Sequence, residues 1–117
     1  MGSPGAVALV SSDLMFASQL TTTMRNAGGS ATIVAGDAVP DVDLVFVDLN
    51  TAVEARLALI AQLRAQRPDL DIVGFCHHAD RDLRRRALRH GATRVVNNGA
   101  LSVVALRLSG MSIGGAS

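Results

Sequence analysis

The stretch Asp43-Leu44-Val45-Phe46-Val47-Asp48-Leu49 decides how the chain is read. Four apolar residues stand between two aspartates, two of them β-branched, and polar residues flank the run. A continuous apolar run this short reads as a strand buried on both faces, as in a parallel sheet. Asp48 then falls at the carboxyl end of that strand, where open α/β sheets place their ligands. A charge there must be solvated, paired or neutralised. Asp48 is therefore the first candidate functional residue.

Working outward, Val7-Ala8-Leu9-Val10 reads as a first strand, with Ser11 or Ser12 capping a helix and Asp13 suiting its positive end. Phe16, Leu20, Met24 and Ala27 recur at helical spacing, and Gly28-Gly29 stops the helix. Residues 31–35 form a second, weaker strand, and residues 36–42 form a connector containing Pro40. After the central strand, Thr51-Ala52-Val53-Glu54 reads as a capping box. It opens a helix with Val53, Leu57, Ile60 and Ala61 on its inner side, ending before Pro68. Asp71 to Cys76 is the next strand. Asp80 and Asp82 then open a helix that Gly91 closes. Arg94 to Asn97 is a fifth strand, and Leu101 to Leu108 a last helix. Strands alternating with helices indicate an α/β, doubly wound parallel sheet.

Composition narrows the class. The 117 residues are enough for one domain, and 49% hydrophobic with 18% charged residues is a globular balance. We read residues 1–5 as a disordered N-terminus or expression scar, 6–108 as the domain and 109–117 as a flexible Gly/Ser-rich tail. No apolar run is long enough to span a membrane. The single Cys76 forbids an internal disulfide and suits a reducing compartment, so the expected location is the cytoplasm. A net charge of +1, with no Trp or Tyr, makes nucleic acid an unlikely partner for this domain alone. No glycine follows the first strand, which excludes both the dinucleotide and the nucleoside triphosphate loops. Cys76 reads as a small core residue. His77 and His78 point to opposite sides of a strand end, with only His90 as a further imidazole, so no metal site is expected. No glycine elbow surrounds either serine, so no hydrolase triad is expected.

Together, Val7-Ala8-Leu9-Val10 before a polar pair, Leu20-x-x-x-Met24-x-x-x-Gly28, the 43–49 run, Arg67-Pro68-Asp69-Leu70-Asp71-Ile72-Val73 and Ala87-Leu88-Arg89-His90-Gly91-Ala92 resemble the receiver domain of two-component response regulators. The resemblance covers about residues 5–108. It implies the CheY-like, flavodoxin-like five-stranded parallel sheet of order 2-1-3-4-5. In that family two acidic residues after strand one hold Mg²⁺, and an aspartate after strand three accepts a phosphoryl group. A Thr or Ser and a Lys contact the phosphoryl oxygens. The resemblance places the acceptor at Asp48, the acidic pair at Ser11 and Ser12, the hydroxyl at Cys76 and the lysine at Asn98. Phosphoryl transfer is catalysed mainly by positioning and charge neutralisation, and serine hydroxyls replace Mg²⁺-binding carboxylates poorly. The expected variant is thus a pseudo-receiver, non-enzymatic and with weak or absent Mg²⁺ binding. The alternative is a working receiver phosphorylated on Asp48. A small-molecule-binding flavodoxin-like domain ranks third.

Two further expectations concern partners. Arg81, Arg85 and Arg89 recur every four residues, with Arg84 and Arg86 flanking and Leu83, Ala87 and Leu88 as the buried stripe. Arg81, Arg84, Arg85 and Arg89 are the candidate docking residues for an acidic protein surface. That partner would be a fused or associated ATPase, as in pilus-assembly localisation proteins, or another output domain. The second expectation rests on length. Residues 36–42 replace the receiver helix between strands two and three, and must cover a diagonal of about 20 Å with a reach of about 23 Å. A nearly straight link would leave Ile33, Val7 or Leu9 under-protected, a patch suited to a homodimer or a partner domain.

Overall fold

The computed structural model describes residues 5–77 and 80–110. The segments 1–4 and 111–117 and the second histidine of the 77–78 pair lie outside the described residues. The elements are β1 (Ala6–Val10), α1 (Leu14–Asn26), β2 (Ser30–Val34), β3 (Leu44–Asp48), α2 (Val53–Gln66), β4 (Asp71–Cys76), α3 (Arg81–His90), β5 (Arg94–Asn97), a single 3₁₀ turn (Asn98–Ala100) and α4 (Leu101–Leu108). All strand pairs are parallel, in the order β2-β1-β3-β4-β5. This is the expected doubly wound sheet. No described helix is long and apolar enough to cross a membrane.

Alternation along the buried strands sorts the core into two layers. Ala8, Val10, Val45, Val47, Ile72 and Cys76 face the side of α2 and α3. Val7, Leu9, Leu44, Phe46, Val73 and Phe75 face the side of α1 and α4. All five β3 residues, Asp48 included, are buried. Such two-sided burial is what a continuous apolar run in a parallel sheet predicts. On α1, Phe16, Leu20 and Met24 form the inner stripe, and Phe16 meets Phe75 edge to face at 5.1 Å.

The helix ends differ from the sequence expectation in two places. Asp13, rather than Ser11 or Ser12, caps α1 by accepting from the Met15 amide at 2.8 Å. The capping box at α2 does not form. Ala52 occupies the N-cap position with φ +50°, a left-handed conformation, and no side chain caps the helix. The inner side of α2 is also displaced. Arg56, Leu57, Leu59, Ile60 and Leu63 are buried, whereas Ala61 faces outward. At α3 the expected ends hold: Asp80 accepts from the Leu83 amide and Gly91 closes the helix at φ +121°.

Between β2 and β3 no helix forms, as the length argument requires, but the link is not straight. β2 ends one residue early and β3 starts one residue late, so residues 35–43 span the gap with slack. Two three-residue turns take it up, with the Val39 amide donating to Asp37 O and the Val42 amide to Pro40 O. Val39 and Val42 insert into the layer under α2. Val7 and Leu9 are therefore not under-protected. They lie on the opposite face, at 1% and 0% exposure, under α1 and α4. Of the three residues named, only Ile33 is open, at 39%.

The connector is held by a cation rather than a helix. Arg67, at the end of α2, donates from Nη1 to Pro40 O and from Nη2 to Val39 O, both at 2.8 Å. Arg64 does the same for neighbouring turns, bonding Gly91 O, Pro68 O and Thr93 Oγ1. Charge-assisted bonds to carbonyls are each stronger than neutral ones. Arg67→Ala should lower the unfolding free energy by about 1–2 kcal/mol in urea titration. Hydrogen exchange at the Val39 and Val42 amides should accelerate before that of β1 or β3. Unchanged exchange at those two amides would show that the apolar plugs alone hold the link.

Candidate functional site

The site forms where β1, β3, β4 and β5 end together. Asp48 is 1% exposed and each carboxylate oxygen is engaged. Oδ2 accepts from Ser11 Oγ at 2.7 Å. Oδ1 accepts from the Asn50 amide at 2.9 Å and from Asn50 Nδ2 at 2.8 Å. The Asp48–Asn50 contact is a local turn in which the carboxylate takes the amide two residues on. Ser11 in turn accepts from the Asp13 amide, so one hydroxyl joins Asp48 to the start of α1.

Asn50 also reaches across to β5. Its Nδ2 donates to Asn98 Oδ1 and its Oδ1 accepts from Asn98 Nδ2, both at 3.0 Å. This reciprocal amide pair links the residue after the Asp48 turn to the end of β5. Asn98, at the position the resemblance gives to a lysine, therefore touches Asn50 and not Asp48 itself. Ser12 is exposed beside the site, and Cys76 is buried in the layer under α2 and α3, outside this network. A cavity of about 400 Å³ lined by His77, Asn97, Asn98 and Gly99 adjoins the amide pair.

Beneath the site lies Arg56, 7% exposed, which the sequence reading passed over. Its Nη1 donates to Val10 O at 3.1 Å and to Asp48 O at 2.9 Å. These carbonyls end β1 and β3, where the strands part and the ladder can no longer satisfy them. The buried guanidinium also brings a fixed positive charge under the strand ends.

The receiver resemblance implies a Mg²⁺ ion at these strand ends. That ion takes octahedral oxygen ligands, commonly carboxylates, and keeps several waters. Here the Asp48 carboxylate accepts hydrogen bonds on both oxygens, one of them from Ser11. Among the described residues no group of three His, Cys, Asp or Glu side chains is placed to hold a metal ion.

The arginine row divides. Arg81, Arg85 and Arg89 are exposed on α3. Arg84 is not part of that surface. It turns inward and its Nη1 donates to Val95 O at 3.1 Å. Leu88, expected in the buried stripe, is 50% exposed, and Leu83 and Ala87 are the buried residues of this short helix. Arg86 bonds both oxygens of Glu54 at 2.8 Å, tying α3 to α2.

No family model matches the sequence, and no curated protein matches it. Solved structures do. The receiver domain of the TMAO respiratory response regulator TorR aligns at 22% identity over 90% of this chain and 93% of its own, with a TM-score of 0.77. The receiver domain of NtrX from Brucella abortus aligns at 16% identity, over 89% and 94%, with a TM-score of 0.75. A protein of Burkholderia pseudomallei described as pilus assembly-related aligns at 21% identity, over 94% of both chains, with a TM-score of 0.71. The chain has the receiver fold.

Burial raises the Cys76 thiol pKa, with the Arg84 charge lowering it and Asp80 raising it further. The thiolate is the reactive form. Native Cys76 should therefore resist alkylation at pH 8, by mass measurement, and react promptly once the chain is unfolded. The same shift means that stability from the neutral thiol is present at neutral pH. It is lost on the alkaline side, as pH rises past the unfolded thiol's value toward the folded one. Rapid native labelling would show that the β4–α3 junction opens readily.

Proposed function

We propose that this domain is a pseudo-receiver, a signalling module that acts through protein contact and not through Mg²⁺-dependent transfer of a phosphoryl group to Asp48. One observation carries the reading: both oxygens of Asp48 are bonded within the protein, beside an Asn50–Asn98 amide pair. An acceptor must present a free oxygen in line with the donor phosphorus and have cations to neutralise the incoming charge. Here the buried cation Arg56 donates to backbone carbonyls below the strand ends.

The proposed docking surface is the exposed part of the row, Arg81, Arg85 and Arg89, facing an acidic surface on a protein partner. That partner would be an ATPase or output domain, fused or associated, in the cytoplasm. Exposed guanidinium groups that lie on one helix face steer and orient an acidic partner. The second reading, a receiver phosphorylated on Asp48, has in its favour that an aspartate stands at the carboxyl end of β3.

Incubation with acetyl phosphate and Mg²⁺, followed by intact mass measurement, separates the two. The expected result is no mass gain. Ser11→Asp and Ser12→Asp with Asn98→Lys should restore one. A substantial gain in the unaltered protein, abolished by Asp48→Asn, would establish the working receiver instead. For the docking surface, Arg81→Glu with Arg85→Glu should weaken partner capture at least tenfold while leaving the melting temperature within a few degrees. Undiminished capture would make the row a solvated face.

A further inference from the structure

β2 is an outer strand of the sheet, and among the described residues no other strand pairs with its free side. Ser30, Thr32 and Ile33 are exposed, Ala31 is half-buried and Val34 is buried. Natural sheet edges are commonly blunted by lysine, proline, a bulge or a covering element. None of these sequence devices is present. From Asn26 to Gly36 the chain has no charged residue and no proline, and the register against β1 runs unbroken from Ala6–Ser30 to Val10–Val34.

The bonds to β1 define which backbone groups remain for a partner. The Ser30 amide donates to Gly5 O, and Val34 O accepts from the Ser11 amide. Along a strand these groups alternate between its two neighbours. Ser30, Thr32 and Val34 therefore turn their N–H and C=O groups toward β1, and Ala31 and Ile33 turn theirs outward.

We propose that β2 pairs antiparallel with β2 of a second copy of this chain, about a two-fold axis at Thr32, to give a continuous ten-stranded sheet. The outward groups are self-complementary in that register. Ala31 of each copy stands opposite Ile33 of the other, and each such pair exchanges two backbone hydrogen bonds. Ala31 lies on the α1 side, so the exposed Ile33 of one copy packs across the small side chain of the other. The two Thr32 residues face each other on the opposite side, at the close, non-bonded position of an antiparallel ladder. Because the segment is uncharged, no like-charge contact opposes its self-pairing. A charged or bulky foreign strand would forgo this match of small against large. The surface is separate from the arginine row on α3.

Thr32→Cys tests the register directly. Facing residues at a non-bonded antiparallel position lie about 4.5 Å apart at Cα, within disulfide range, and the native Cys76 is buried. Under mild oxidation Thr32→Cys should become a covalent dimer, whereas Ser30→Cys should not. Light scattering on the unaltered chain should show concentration-dependent dimerisation. Thr32→Lys, which sets two cations face to face, should return it to monomer. Ala31→Pro removes an outward N–H without touching the β1 ladder and should do the same. A chain that stays monomeric at all concentrations overturns the proposal. So does a dimer that survives both substitutions and does not cross-link at position 32.

Discussion

The arrangement at the carboxyl edge of the sheet depends on one buried cation. β1 and β3 diverge just where their last carbonyls, Val10 O and Asp48 O, run out of strand partners, and Arg56 supplies both from a single nitrogen. Leaving a buried carbonyl unbonded costs about 1–3 kcal/mol. The guanidinium also needs a place to keep its charge inside the protein, and two carbonyl dipoles provide part of it. With β1 and β3 locked together, Ser11 and Asp48 come within 2.7 Å, and the rest of the network follows.

The sheet was legible because its strands are short apolar runs with nothing to dilute them. Val7 to Val10, Leu44 to Val47 and Ile72 to Cys76 could lie only inside, and Gly91 and Asp80 marked the ends of α3 correctly. What escaped were contacts in which a long side chain bonds to the backbone of a distant turn. Arg56, Arg64 and Arg67 sit on α2 or at its end, where periodicity treats arginine as a solvated residue. No local pattern distinguishes an arginine that reaches a carbonyl from one that reaches water. The capping box at Thr51 failed for a related reason. A pairwise motif presumes an extended cap residue, and here Ala52 is left-handed, which costs an alanine roughly 1–2 kcal/mol. The Asp48-x-Asn50 spacing did carry a usable signal, since an aspartate commonly takes the amide two residues on.

The missing crossover helix shows how the same fold tolerates a much shorter link. Two valines and one arginine replace it, the valines filling the apolar layer and the arginine fixing the backbone that carries them. A helix would satisfy its own amides, whereas this link relies on tight turns and a borrowed side chain. Beside it a groove of about 470 Å³ opens between α2 and the end of β2, lined by Ala55, Ala58 and Leu59 among others.

The amide pair between Asn50 and Asn98 has a thermodynamic consequence. It ties the loop after β3 to the start of the 3₁₀ turn after β5 by two neutral bonds that need no ion, cofactor or modification. A protein that alternates between two shapes binds its partner with an apparent affinity reduced by the fraction of time it spends in the wrong one. A clasp made of two side-chain amides biases these two segments toward one shape. On the pseudo-receiver reading, a partner that recognises this shape would meet a smaller reduction. Occupancy would then follow the amounts of the two proteins, and control would lie in when the chain is made and how long it lasts.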